Sequence, residues 1–158
     1  TLAETLAAQG ITPMWSAGGK ETALVAQADP GGRFASLAGQ LDLLQMAHLL
    51  KDARLLICPD TGITHLGRLT GTPTVALFGP GSPQICGAGL FWRNSPFEAV
   101  SVPVPGRDQD VTFRRHAGWI QRCARRHGDG PGQCARPRCM EDIALETVLA
   151  ACRRLLAS

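Results

Sequence analysis

Asp60, Thr61, Gly62 and His65 fall within one short stretch, Cys58-Pro59-Asp60-Thr61-Gly62-Ile63-Thr64-His65-Leu66. Residues of these types at this spacing can hold a polar, phosphorylated ligand. The Asp60 carboxylate accepts from hydroxyls, Thr61 adds a hydroxyl, and Gly62 lets the backbone approach an anion closely. His65 falls in the first turn of the helix that should follow, facing the same crevice. Taken alone, Asp60 and Thr61 also fit a simple helix cap, and His65 a packed or surface histidine.

The flanking residues say what must position them. The run Arg54-Leu55-Leu56-Ile57-Cys58 has the pattern of a parallel strand buried on both faces. Gly62 to Thr70 predicts a short helix stopped at Gly71, and Pro73 to Phe78 a second buried strand closed by Gly79-Pro80-Gly81. In open parallel sheets, ligands bind at the carboxyl ends of strands, where helix N-termini offer free N–H groups. The Asp-Thr-Gly turn is expected there.

The rest of the chain continues the alternation. Thr1 to Gln9 reads as a helix, Ile11 to Trp15 as a strand, Lys20 to Ala28 as a helix and Arg33 to Ser36 as a short strand. Asp42 is the expected N-cap of a helix that buries Leu43, Met46, Ala47 and Leu50. A further strand is expected over Glu98 to Val104. An irregular Arg- and Cys-rich segment follows over 105–140, and then a C-terminal helix over 142–157. On that helix Leu145, Val148, Leu149, Cys152 and Leu155 share one face. The reading is one α/β domain over 1–158, a Rossmann-like parallel sheet with helices on both faces. Leu55, Ile57, Val75, Leu77, Leu149 and Leu156 are its expected core.

Composition sets limits. The 158 residues are 44% hydrophobic and 18% charged, which argues against global disorder. The net charge of +3 is mild, and no nucleic-acid partner is expected. Its distribution is uneven, with Arg114, Arg115, Arg122, Arg125, Arg126, Arg136 and Arg138 in one segment. Such a block either faces an anion such as phosphorylated lipid or is a solvated surface. No apolar run reaches the length of a membrane span. The sequence opens on Thr1, already inside a helical pattern, and is expected to be part of a longer polypeptide.

Gly-x-x-x-x-Gly-Lys-Ser/Thr and Gly-x-Gly-x-x-Gly are both absent, so neither a P-loop ATPase nor a typical dinucleotide enzyme is supported. Cys123, Cys134 and Cys139 are spaced Cys-x10-Cys-x4-Cys, which fits no common zinc knuckle. They are expected to be structural thiols, with no metal and no cofactor.

Asp-Thr-Gly-Ile-Thr-His-Leu, followed by Gly71-Thr72-Pro73-Thr74-Val75-Ala76-Leu77-Phe78-Gly79-Pro80, resembles the donor-binding signature of the family-nine glycosyltransferases, the lipopolysaccharide heptosyltransferases. Leu41 to Leu50 and Cys139 to Ile143 extend the likeness. The resemblance implies the C-terminal, donor-binding half of a GT-B enzyme that transfers a sugar with inversion. It implies heptose from ADP-heptose as donor and a lipopolysaccharide core as acceptor. Asp60, Thr61, Gly62 and His65 match the family's donor contacts. Trp15-Ser16-Ala17-Gly18-Gly19-Lys20-Glu21 resembles its ribose loop, with Glu21 on the ribose hydroxyls, although Ser16 stands where the family usually has Gly. Leu41 matches the position that meets the base through its backbone, and Lys20 is placed to help the leaving diphosphate. The same resemblance puts the general base in an N-terminal half and the enzyme in the cytoplasm, peripheral on the inner membrane. Two other readings stay open. One is a GT-B transferase or epimerase using a UDP-hexose; the other is a non-catalytic module that binds an anion or a metal.

Overall fold

The computed structural model describes residues 1–157. The chain resolves into two compact units, Thr1–Leu49 and the residues from Leu50 onward.

In the first unit, α1 (Leu2–Ala8) starts with a capping box between Thr1 and Glu4. β1 (Met14–Trp15) and β2 (Ala35–Ser36) pair in parallel on either side of α2 (Thr22–Ala28) in sequence. The buried Asp29 carboxylate ties the unit together. It accepts from Trp15 Nε1, the Phe34 amide and Arg33 Nε at 3.3, 3.0 and 3.1 Å. α3 (Leu43–Asp52) begins as expected at Asp42, whose Oδ1 accepts from the Gln45 amide while Gln45 Oε1 accepts from the Asp42 amide. Its apolar stripe is buried only at Leu50. Met46 and Ala47 are half-buried and Leu43 is exposed, contrary to expectation.

The second unit holds a three-stranded parallel sheet in the order β3 (Leu56–Pro59), β4 (Thr74–Phe78), β5 (Phe97–Ser101). Leu56 pairs with Thr74, and Thr74 in turn with Phe97. The consecutive residues Thr74, Val75 and Ala76 are all buried, so both faces of β4 are covered. α4 (Gly62–Thr70) packs on β3 and β4, and α7 (Leu145–Leu156) on β4 and β5. α4 ends where the sequence predicts, at Gly71 with φ +75° in the left-handed region. β5 stops at Ser101 because its partner β4 ends at Phe78, so the expected extension to Val104 has no ladder to join.

The parallel strands are therefore split between two sheets, where the sequence suggests one. β3 has a partner on one side only, and of the expected core Leu55, Ile57, Leu77 and Leu156 are only half-buried. Val148, Leu149, Cys152 and Leu155 form the buried face of α7, but Leu145, in its first turn, is exposed. The segment from Pro105 is not wholly irregular. It includes α5's successors β6 (Val111–Thr112) and β7 (Arg115–His116), an antiparallel pair, and the short α6 (Arg138–Glu141), α5 itself being Pro83–Cys86.

The packing of α4 can be tested at Gly67, which is buried against the sheet. A Cβ there would lie 2.7 Å from Thr74 Oγ1 and 2.8 Å from Leu56 Cδ2. Gly67→Ala gains about 1 kcal/mol in helix propensity, but overpacking costs about 1–3 kcal/mol. A net loss of about 1 kcal/mol is expected, read as a lowered Tm. An unchanged or raised Tm would show that α4 can move off the sheet freely.

Candidate functional site

The Asp-Thr-Gly turn sits at the carboxyl end of β3. The Asp60 amide donates to Leu77 O at 3.0 Å, which anchors the turn to β4. Thr61, extended at φ −142°, is the N-cap of α4. The buried Thr64 side chain fixes the helix start: its hydroxyl donates to Pro59 O at 3.0 Å, lies 3.3 Å from Cys58 Sγ and accepts from the Thr61 amide at 3.4 Å. Gly62 opens the helix with empty space where its side chain would be. The Thr64 amide donates to Thr61 O at 3.0 Å, while the Gly62 and Ile63 amides stand ahead of the helix's own hydrogen-bond ladder.

Asp60, Thr61 and Pro59 line a cleft of about 520 Å³ closed on its other sides by Leu77, Gly79 to Gly81, Arg122, Cys123 and Met140. A Cβ on Gly81 would lie 2.2 Å from Asp60 Oδ2, so only glycine lets the carboxylate take this position. Among the described residues nothing hydrogen-bonds or ion-pairs with that carboxylate. Burial pushes the Asp60 carboxyl up, while the charges of His65 and Arg68 pull it down. His65 stands exposed on the first turn of α4, outside the cleft lining, and its Nδ1 is 2.8 Å from Arg68 Nη2. The structure thus brings Asp60, Thr61, Gly62 and His65 together around one helix start.

Lys20, Glu21 and Leu41 belong to the first unit. Lys20 is exposed. Glu21 precedes α2, and its Oε2 accepts from the Gly18 amide at 3.3 Å while its own amide donates to Gly18 O at 2.9 Å. The carboxylate therefore shapes its own loop. Leu41 is half-buried.

Arg122, Cys123 and Met140 are cleft residues that the sequence does not single out as such. Arg122 belongs to the arginine block that reads as anion-facing or solvated, but nothing local assigns it to this strand end. Two contacts fold the segment over β4. The Cys123 amide donates to Pro80 O at 2.8 Å, and Arg107 Nη2 donates to Gly79 O at 2.6 Å and to Phe78 O. Arg68, buried behind His65, is also absent from the sequence-level candidates.

The model of glycosyltransferase family 9 (heptosyltransferase) matches residues 1–96. The chain belongs to this family. Within that match lie both the Trp15–Glu21 loop and the Asp-Thr-Gly helix start. Lipopolysaccharide heptosyltransferase 1 of Pseudomonas aeruginosa is 41% identical over 54 residues, which are 34% of this chain and 15% of that protein. Two solved structures share the fold over 99% of this chain. One is the family 9 glycosyl transferase of Veillonella parvula, with a TM-score of 0.69 and 19% identity. The other is the ADP-heptose lps heptosyltransferase II of E. coli, with a TM-score of 0.64 and 20% identity. The chain spans 39% of the length of each. No helix among the described residues is long and apolar enough to cross a membrane.

Among the described residues no group of three or more His, Cys, Asp or Glu side chains is arranged to hold a metal ion. Cys134 Sγ donates to Arg136 O at 2.8 Å, and burial pushes the Cys139 thiol up, away from the thiolate a metal would bind. We expect elemental analysis of the purified protein to find no stoichiometric transition metal. About one zinc per chain, lost on replacing Cys123, Cys134 and Cys139 with Ser, would overturn this.

Proposed function

We propose that this chain is the donor-binding, C-terminal part of a GT-B glycosyltransferase that transfers heptose from ADP-heptose, with inversion, to a lipopolysaccharide-type acceptor. The observation that carries the reading is the free Asp60 carboxylate at the open N-terminus of α4. A helix start offers amides to a diphosphate, and an unpaired carboxylate beside it offers an acceptor to sugar hydroxyls. Family membership and the heptosyltransferase activity named for its relatives support heptose as the sugar.

In this reading the diphosphate lies over Gly62 and His65, with Thr61 beside it, and Asp60 engages the sugar. Glu21 meets the ribose, Leu41 the base and Lys20 the leaving diphosphate. Arg122, which lines the same cleft as Asp60, adds a cation for the departing phosphate. The nucleotide sugar is a substrate, and the chemistry needs no cofactor. The base that deprotonates the acceptor belongs to the N-terminal half of the full enzyme. That enzyme works in the cytoplasm, peripherally at the inner membrane where its lipid acceptor lies.

The test is a thermal-shift panel of ADP-, UDP- and GDP-sugars. Stabilisation by ADP-heptose above the others supports the reading, because a ligand that binds only the native state raises Tm by mass action. Stabilisation by a UDP-hexose instead would favour the related transferase or epimerase. Indifference to every nucleotide sugar would sink the donor-site assignment and favour a module that binds another anion.

A further inference from the structure

Arg68 is nearly wholly buried, 5% exposed, yet among the described residues no carboxylate bonds to it. Its Nη1 donates to Gly87 O at 2.7 Å and its Nη2 to Cys86 O at 2.8 Å, and its guanidinium lies 4.8 Å from the centre of the Phe97 ring. Nε is buried with no partner. Guanidinium keeps its proton in a protein, so this site holds a permanent cation without an ion-pair partner. Bonding two carbonyls explains the side chain's order but does not require its charge.

The remaining contact joins it to a side chain of the candidate site. Nη2 is 2.8 Å from His65 Nδ1. Guanidinium nitrogens only donate, so His65 Nδ1 must accept and carries no proton. The ring's one proton then sits on Nε2, and a second proton on Nδ1 would set two donors and two cations against each other. Nδ1 is taken, and Nε2 is the polar edge left for solvent or ligand on an exposed side chain.

We propose that Arg68 is a positioning residue that locks His65 in the tautomer protonated on Nε2, so that His65 presents a fixed hydrogen-bond donor to the donor-sugar diphosphate. The ligand half of this inference rests on the proposed function above, and the tautomer half does not. Arg68 lies one helical turn beyond His65, so the two side chains share a face of α4. The Cys86 and Gly87 carbonyls and the Phe97 ring hold the guanidinium in place. The donor at Nε2 is therefore oriented before ligand arrives, and ordering it costs nothing further on binding.

The experiment is nitrogen NMR of the ¹⁵N-histidine-labelled chain at a pH where the ring is neutral, with the His65 signals assigned by their loss in His65→Gln. The wild-type spectrum should show His65 as a single tautomer, Nδ1 unprotonated and hydrogen-bonded, Nε2 protonated. Arg68→Met should move the Nδ1 signal toward that of a free acceptor and admit the other tautomer. Wild-type His65 protonated on Nδ1, or an Nδ1 signal unmoved in a folded Arg68→Met protein, would overturn the tautomer lock. The wild-type spectrum decides this even if the variant does not fold. In the binding arm, Arg68→Met and His65→Gln should each weaken ADP-heptose binding about fivefold, as expected for one oriented hydrogen bond. The double variant should be little worse than either single one. Additive losses would overturn the claim that Arg68 acts through His65. Failure of the wild-type chain to bind any nucleotide sugar would remove the ligand half and the donor-site reading together, leaving the tautomer result standing.

Discussion

Asp60→Asn is expected to weaken donor binding at least tenfold while leaving the protein as stable as the parent, or more so. The two outcomes follow from one observation, a carboxylate held in the cleft without a partner and pushed up by burial. An acid whose folded pKa lies above its unfolded value binds protons more readily in the native state. Its ionisation therefore destabilises the fold once the pH rises above the unfolded value, and that penalty is absent at lower pH. At neutral pH asparagine removes the penalty and keeps the shape. Donor binding falls because an amide cannot supply the charge-assisted acceptor that sugar hydroxyls would use. The discriminating measurement is Tm with and without ADP-heptose. An aspartate serving only the turn before the helix would be replaced by asparagine, an equally good capping residue, at almost no cost in stability and with no change in binding. Undiminished donor affinity would return Asp60 to that humbler role, and a lowered Tm would show that its charge is not a penalty in the fold. His65→Ala should weaken donor binding by a similar factor. Gly62→Val should do worse than either, since it puts a branched side chain into the empty space beside the first turn of α4.

The helix start was readable in the sequence because every signal for it is local. A strand-length apolar run, an Asp-Thr-Gly turn and a left-handed glycine nine residues on from the helix start all lie within Leu56 to Gly71, and the structure follows them. What failed to show is non-local. Nothing near Arg68 in the sequence marks it, because its burial depends on a turn at Cys86–Gly87 and a ring at Phe97. Arg122 and Met140 reach the cleft only because Arg107 and the Cys123 amide fasten their segment to the end of β4. The β6–β7 hairpin was invisible for a different reason. Its central residues, Phe113 and Arg114, have φ of 47° and 62°, where the expected sequence signal is Asn-Gly. The split of the strands into two sheets was equally hidden, because periodicity reports a strand and says nothing of its neighbours.

Sugar transfer by this chain on its own is expected to be absent, the largest effect of all. An inverting transfer needs a carboxylate to take the acceptor's proton in line with the leaving diphosphate. Among the described residues lining the cleft, Asp60 is the only acid, and the proposed donor contact occupies it. Three other acids of the second unit are engaged. Asp108 accepts from Arg125 at 3.1 Å, which holds its carboxyl down, and Glu98 accepts from Arg154 Nε at 2.7 Å. Asp110 lies 3.3 Å from His116 Nδ1. General-base catalysis contributes about 10²–10⁴-fold, and positioning of the acceptor can contribute more. Loss of both puts the expected rate below detection, even where nucleotide-sugar binding persists. The measurement is heptosyl transfer by the chain alone and by the chain mixed with the remainder of the full-length enzyme, with circular dichroism confirming that the chain is folded. Recovery of activity on mixing would locate the base outside these residues. Turnover by the folded chain alone at the intact enzyme's rate would mean that the cleft carries its own base. Asp60, whose carboxyl is free and already pushed toward the range where a base works best, would then be the residue responsible.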